Sequence, residues 1–189
     1  MHKAVIAIAV LLLAAQVRAP RRPAPGGAAG GPAVVDRDIA VFFSPDDHCI
    51  DGIVWQIQAA RRSIDVQAFM LTTQRITEPL IAAQSRGVAV RVIFDAEQAA
   101  DNFSLDEDLV RAGIPVWLDS PAGGRAHDKV MIIDGETVVT GSFNFTLAAD
   151  QKNSENLIVI RQRPAIAQGY QRHFDARLAE ARKHPLARN

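Results

Sequence analysis

The chain has 189 residues, 48% of them hydrophobic, which holds one well-buried domain and is too short for two of ordinary size. A single cysteine, Cys49, excludes an intrachain disulfide and a thiolate metal cluster; it reads as a buried, inert thiol, with a link between two exported chains as the alternative. Basic and acidic residues balance at 21 each, but Lys3, Arg18, Arg21 and Arg22 all precede Asp36, where no acid occurs, so the remainder has 17 basic against 21 acidic residues, a formal −4 that argues against clamping nucleic acid with the whole surface.

Met1-His2-Lys3 followed by the apolar run from Ala4 to Ala15 has the charged start and short apolar middle of a secretory signal peptide. We take residues 1–19 as that signal, which implies a periplasmic or secreted protein; an uncleaved segment anchoring the protein in the membrane is the alternative. Residues 20–35, rich in Pro, Gly and Ala, read as a flexible linker, and residues 36–189 as the domain. A first strand at 38–43 ends in Ser44-Pro45, and Ile50, Ile53, Val54 and Ile57 recur at helical spacing up to Arg61-Arg62. Asp46, Asp47 and His48 are better explained as capping and solvated groups than as metal ligands.

Residues 63–70 form a strand with Ile64, Val66, Ala68 and Met70 on one face and Asp65, Gln67 and Phe69 on the other. Gln67 is a candidate for lining a substrate cleft at the strand tip, against the plainer reading of a polar group satisfied by its neighbours. Thr77-Glu78-Pro79 opens a helix that Gly87 stops; 88–94 is a strand apolar enough to be covered on both faces. A polar loop over 95–102, a helix at 105–112 and a strand at 114–118 lead to a glycine-bearing loop, 119–126, placed where a substrate would approach. Beyond the next hairpin come a short helix at 147–150 and a strand at 157–160. A last helix from Pro164 carries Ile166, Tyr170, Phe174 and Leu178 as a packing stripe. His173 and His184 have no partner by spacing; with Arg182 and Lys183, His184 reads as a dipole and solvent contact.

The chemistry is concentrated in residues 125–146, two strands joined at Asp134-Gly135, a strong hairpin signal between β-branched runs. Alternation puts His127 and Lys129 on one face with Met131 and Ile133, while Asp128 and Asp134 point to the other. Ser142 and Asn144, two apart beyond Gly141, offer a hydroxyl and an amide to one side. Imidazole, ammonium, hydroxyl and carboxamide are the means to attack an electrophile and hold the resulting oxyanion. Arg125 and Lys152 are the further cations able to concentrate positive potential there.

His127-x-Lys129-x4-Asp134 followed by Gly141-Ser142-x-Asn144 resembles the signature of the phospholipase D superfamily, and one copy occurs in the 189 residues. The resemblance runs over 36–184 through Arg86-Gly87-Val88, Gly113-Ile114-Pro115-Val116 and Asn153-Ser154-Glu155-Asn156. It implies an α/β fold, an α-β-α sandwich with a mixed central sheet. Because small bacterial endonucleases of the superfamily carry a single copy, it further implies a two-fold homodimer with a shared site. His127 would form a phosphohistidine intermediate, Lys129, Ser142 and Asn144 would hold the phosphoryl oxygens, and no metal or other cofactor would be needed. Glu155 is the carboxylate expected behind His127. Asp134 belongs to the motif's catalytic set, yet its parity points to a structural role. The implied activity is a non-specific endonuclease acting on DNA, with RNA as a further substrate and Gln67 and Arg125 as additional substrate contacts. The rivals are a phospholipase acting on a lipid such as cardiolipin or phosphatidylcholine, and a nucleic-acid-binding domain without catalysis.

Overall fold

The computed structural model describes residues 31–186. The expected signal segment, and most of the linker, lie outside them. In chain order the elements are β1 (Val34–Asp36), β2 (Ile39–Ser44), α1 (Cys49–Ala59), β3 (Ser63–Ala68), α2 (Gln74–Ser85), β4 (Ala89–Asp95), α3 (Asp106–Arg111), β5 (Val116–Asp119), β6 (Lys129–Ile133), β7 (Thr137–Gly141), α4 (Leu147–Gln151), β8 (Glu155–Ile160), α5 (Pro164–Glu180) and β9 (Arg182–Lys183). Among the described residues all strands join one sheet, in the order β1-β2-β8-β7-β6-β3-β4-β5-β9. β3, β4 and β5 run parallel through the α2 and α3 crossovers, and the remaining pairings are antiparallel, so the sheet is mixed as expected.

Each face of the sheet has its own core. Ile53 and Ile57 of α1, Ile76 and Leu80 of α2, Leu109 of α3 and Ala149 of α4 pack with Val66, Val92, Met131 and Val139. On the opposite face α5 lays Ala167 and Phe174 against Ile93, Val130, Ile132 and Val138. β6 shows why the hairpin region has so apolar a sequence: Met131 and Ile133 enter the first core, Val130 and Ile132 the second, so strand alternation feeds both layers. The result is the α-β-α sandwich.

The β6–β7 turn is built from Asp134, Gly135 and Glu136, with Asp134 at φ 55° and Gly135 at φ 69°. Aspartate and glycine are the residues that tolerate this left-handed region. The Asp134 carboxylate reaches the α1–β3 connection and accepts from the backbone N–H groups of Arg61, Arg62 and Ser63, at 2.7 to 3.2 Å.

Several elements depart from the sequence reading. α2 starts at Gln74, three residues before Thr77: the Thr73 hydroxyl accepts from the Arg75 N–H at 3.3 Å and caps the helix there, leaving Pro79 inside it. The packing stripe of α5 is Ala167, Tyr170, Phe174 and Leu178, and Ile166 is exposed. A repeat of strictly four residues drifts by about 40° per step around a 3.6-residue helix, so its first member leaves the buried face. His184 is buried, not solvated, because β9 folds back onto β5. Its Nε2 lies 2.9 Å from Asp106 Oδ2, and its Nδ1 accepts from the Leu186 N–H at 3.1 Å, which identifies the neutral ring with its proton on Nε2. β1 takes the last residues of the stretch read as linker into the sheet, pairing with β2. Cys49 is fully buried, and burial, followed by Asp150 and Asp47, pushes its thiol up to about 12, the condition of an unreactive side chain.

Candidate active site

The site lies at the end of the sheet where β6 and β8 begin and β2, β3 and β7 finish. His127 sits just ahead of β6, and Lys129 is its first residue. Backbone pairing extends past the strand: the Phe69 N–H donates to the Asp128 carbonyl at 2.9 Å, which fixes the His127–Lys129 segment against the tip of β3. The Lys129 ammonium donates to the His127 carbonyl at 2.7 Å and lies 3.1 Å from His127 Nδ1. An ammonium can only donate, so in this arrangement Nδ1 of the neutral ring is the acceptor and the proton resides on Nε2. The imidazole itself is exposed.

Phe69, which sequence alternation grouped with the polar face of its strand, is the member of the site that the reading missed. Its ring packs on His127 with centroids 4.2 Å apart, and the Lys129 ammonium lies 4.7 Å from the same ring centre. One aromatic side chain therefore backs both the imidazole and the cation. The signal available in sequence was its position, a large apolar residue immediately beyond the last paired residue of a strand neighbouring the motif strand.

Lys129 is 7% exposed, and burial lowers its pKa, opposed by the charges of Asp128 and Glu155. Those two carboxylates favour the ammonium, whereas the loss of hydration disfavours it and prevails. The influence of Glu155 on Lys129 brings the β8 carboxylate into the same electrostatic field.

Ser142 follows β7 across Gly141, whose φ is 149°. A Cβ there would stand 2.2 Å from the Asn156 carbonyl oxygen, so only glycine lets β7 close on β8 at the site. The Ser142 hydroxyl donates to Glu155 Oε2 at 2.6 Å and accepts from the backbone N–H and side-chain amide of Asn156, at 3.1 and 3.2 Å. Asn153 donates to the other Glu155 oxygen at 3.2 Å, while Ser44, at the end of β2, ties in the backbone at both Asn153 and Glu155. Phe143 and Phe145 are buried to either side of Asn144 and turn its side chain to the face it shares with Ser142. Asn144 Oδ1 is buried without a hydrogen-bond partner in the single chain, an acceptor whose desolvation is uncompensated.

Four of the expected residues, His127, Lys129, Ser142 and Glu155, thus gather at one end of the sheet, with Asn144 beside Ser142. Others are placed elsewhere. Glu155 makes its hydrogen bonds to Ser142 and Asn153; among the described residues none joins it to His127, whose Nδ1 faces Lys129 instead. Asp134 is at the opposite end of β6, bound to backbone, so its parity and not its membership of the motif describes it. Gln67 is 3% exposed and faces α5, its amide donating to Asp128 Oδ2 at 3.2 Å; it lines no cleft, because alternation along β3 turns it away from the Lys129 side. Arg125 is exposed and paired with Glu97 at 2.8 Å. His173 has the partner that spacing could not reveal, Asp128 Oδ2 at 3.1 Å from its Nε2.

The geometry agrees with the proteins this chain is similar to. Residues 53–178 match the family described as cardiolipin synthase, PLD-like domain. The chain is 39% identical over 153 residues to a phospholipase D of Rickettsia typhi, covering 81% of this chain and 74% of that protein. It is 33% identical over 129 residues to the mitochondrial cardiolipin hydrolase of Xenopus tropicalis, covering 68% of this chain and 60% of that one. In three dimensions it superposes on the phospholipase D family member Nuc from Salmonella typhimurium with a TM-score of 0.72 and 35% identity, over 77% of this chain and 97% of that one. A family match across most of the chain, relatives of this identity and a histidine–lysine pair at the sheet end lead to one conclusion: the chain belongs to the phospholipase D superfamily and is a phosphodiesterase of that superfamily.

Proposed function

We propose that the protein is a metal-independent phosphodiesterase acting as a two-fold homodimer, and that it cuts DNA, and RNA as well, with little sequence preference. The observation that carries the chemistry is the His127–Lys129 pair, 3.1 Å apart, with the imidazole exposed and the ammonium buried behind it, in a chain with a single motif. One histidine can attack phosphorus or protonate the leaving oxygen, but not both in the same step. A second protomer facing the first across a two-fold axis supplies the other histidine. Nε2 of one His127 forms a bond to phosphorus as the ester P–O bond breaks, and the leaving oxygen takes a proton from His127 of the second protomer. Water then attacks phosphorus, gives its proton back to that second ring and breaks the P–N bond. Two Lys129 ammoniums, with Asn144 and Ser142, stabilise the equatorial oxygens that a metal ion holds in other phosphodiesterases.

Attack by Nε2 needs a free lone pair there, so the ring must carry its proton on Nδ1 and find an acceptor for it. Glu155, already oriented by Ser142 and Asn153, is the carboxylate that the superfamily resemblance assigns to that task. Preference for nucleic acid rests on the single-motif resemblance; export of the protein to the periplasm or beyond rests on the leader-like residues 1–19.

A second reading, phospholipid as the substrate, has its own support. The relatives at 39% and 33% identity bear the names phospholipase D and cardiolipin hydrolase. Beside the site an open groove is lined by Met70, Leu71, Phe103, Leu105 and Leu147, of which Phe103 is 77% and Leu147 43% exposed. Apolar exposure of this kind suits an acyl or membrane surface. The deciding experiment incubates the full chain in EDTA with supercoiled plasmid and, in parallel, with vesicles of phosphatidylcholine and cardiolipin, each beside His127→Ala. Plasmid cleavage that persists in chelator and disappears in the variant supports the nuclease; release of lipid head group with intact plasmid overturns it in favour of the phospholipase.

A further inference from the structure

A second polar cluster lies behind the catalytic strand, on the face covered by α5. Asp128, between His127 and Lys129, alternates away from them, and its Oδ2 receives the Gln67 amide at 3.2 Å and His173 Nε2 at 3.1 Å. Gln67 is almost wholly buried, with its Oε1 unpaired, so its carboxamide serves Asp128 at the cost of a buried acceptor left without a donor. The two residues come from different layers, β3 of the sheet and α5 above it. They converge on the side chain of the residue that lies between His127 and Lys129 in sequence. The Asp128 carbonyl, in turn, takes the Phe69 N–H, and the Phe69 ring backs both His127 and Lys129.

We propose that Asp128 is a positioning residue, clamped by Gln67 and His173, which sets the direction of His127 and Lys129 from the opposite side of the sheet. A carboxylate fixed by donors from two directions defines the rotation of its own residue. Since the backbone is continuous, it also defines where the side chains before and after it leave the strand. The clamp carries no substrate contact and takes no proton from the reaction; it acts through geometry, and a misplacement of about 1 Å at a reacting group is enough to cost two orders of magnitude in rate. His173, half exposed at the end of the relay, is the member that can be altered without opening the core.

The proposal rests on the phosphodiesterase reading but not on the choice between nucleic acid and lipid, so the assay uses bis(p-nitrophenyl) phosphate. Removal of the clamp by His173→Ala should lower kcat roughly tenfold with KM within about twofold and the melting temperature unchanged, the split expected when groups are misdirected and not lost. His173→Gln, whose Nε2 occupies the place of the imidazole Nε2, should restore most of the rate. Independently of any turnover, the imidazole cross-peaks of His127, identified by their absence in His127→Ala, should move in His173→Ala and return in His173→Gln. A kcat unaffected by His173→Ala, or His127 resonances that stay in place, would overturn the proposal. Resonances that shift in a protein inactive on this ester would uphold the clamp while counting against the phosphodiesterase reading.

Discussion

At the scale of single residues, two members of the motif that sequence spacing treats alike behave differently. Lys129 is buried in the site, and Asp134 is spent on backbone amides at the far end of its strand. Asp134→Ala should therefore destabilise the protein by about 1–3 kcal/mol, by stripping the acceptor from three N–H groups, while kcat of the folded protein changes by no more than about threefold. Urea unfolding alongside a rate measurement separates the two roles, and a large loss of kcat without loss of stability would return Asp134 to the catalytic set. For Lys129 the sign follows from burial, which disfavours the ammonium and lowers the pKa. The ammonium is less favoured in the folded state than in the unfolded one, a penalty present in full below the lowered value and relieved as pH rises from it towards the ordinary lysine value. Because the reaction needs the ammonium, the alkaline limb of kcat/KM should begin below the ordinary lysine range of about 10.4. A profile flat through that range would argue that Lys129 is not the essential cation.

At the scale of elements, much was legible because period and punctuation were clear. The Asp-Gly turn placed the β6–β7 hairpin, alternation grouped Lys129 with Met131 and Ile133 on one face, and the Gly87 stop marked the end of α2. What escaped depended on partners distant in sequence. Thr73 capped α2 ahead of a more conspicuous Thr-Glu-Pro, Phe69 joined the site only because β3 pairs with β6, and the carboxylate expected at His127 is engaged instead by Ser142 and Asn153. His184 and Asp106 are separated by 78 residues and meet because β9 adds to the sheet edge beside β5. That pair is buried on both sides, so His184→Ala leaves a carboxylate without its donor and should cost about 2–4 kcal/mol, lowering the melting temperature with little effect on the site. Unchanged stability would show that β9 and the residues after it merely rest on the domain.

At the scale of the whole molecule, an overall acidic domain places a buried ammonium, an exposed imidazole and the hydrogen-bonded Ser142–Glu155 pair at a single end of a nine-stranded sheet. In the homodimer we propose, symmetry is the means of supplying the second histidine. The superfamily was legible in His127-x-Lys129-x4-Asp134, Gly141-Ser142-x-Asn144 and the segments that accompany them, and the sandwich followed from that resemblance. The substrate could not, since a phosphodiester looks the same to these groups whether nucleosides or acyl glycerols flank it, and the apolar groove beside the site is assembled from segments as distant as Met70, Phe103 and Leu147. The mechanism we propose requires His127 to become covalently bound to phosphorus. The direct measurement is acid-free rapid quench of the enzyme with bis(p-nitrophenyl) phosphate in EDTA, followed by mass spectrometry of the peptide that contains residue 127. A p-nitrophenyl phosphoryl adduct on His127 should form without metal and disappear as product accumulates. Turnover with no adduct on that residue, or turnover that survives His127→Ala, would contradict it.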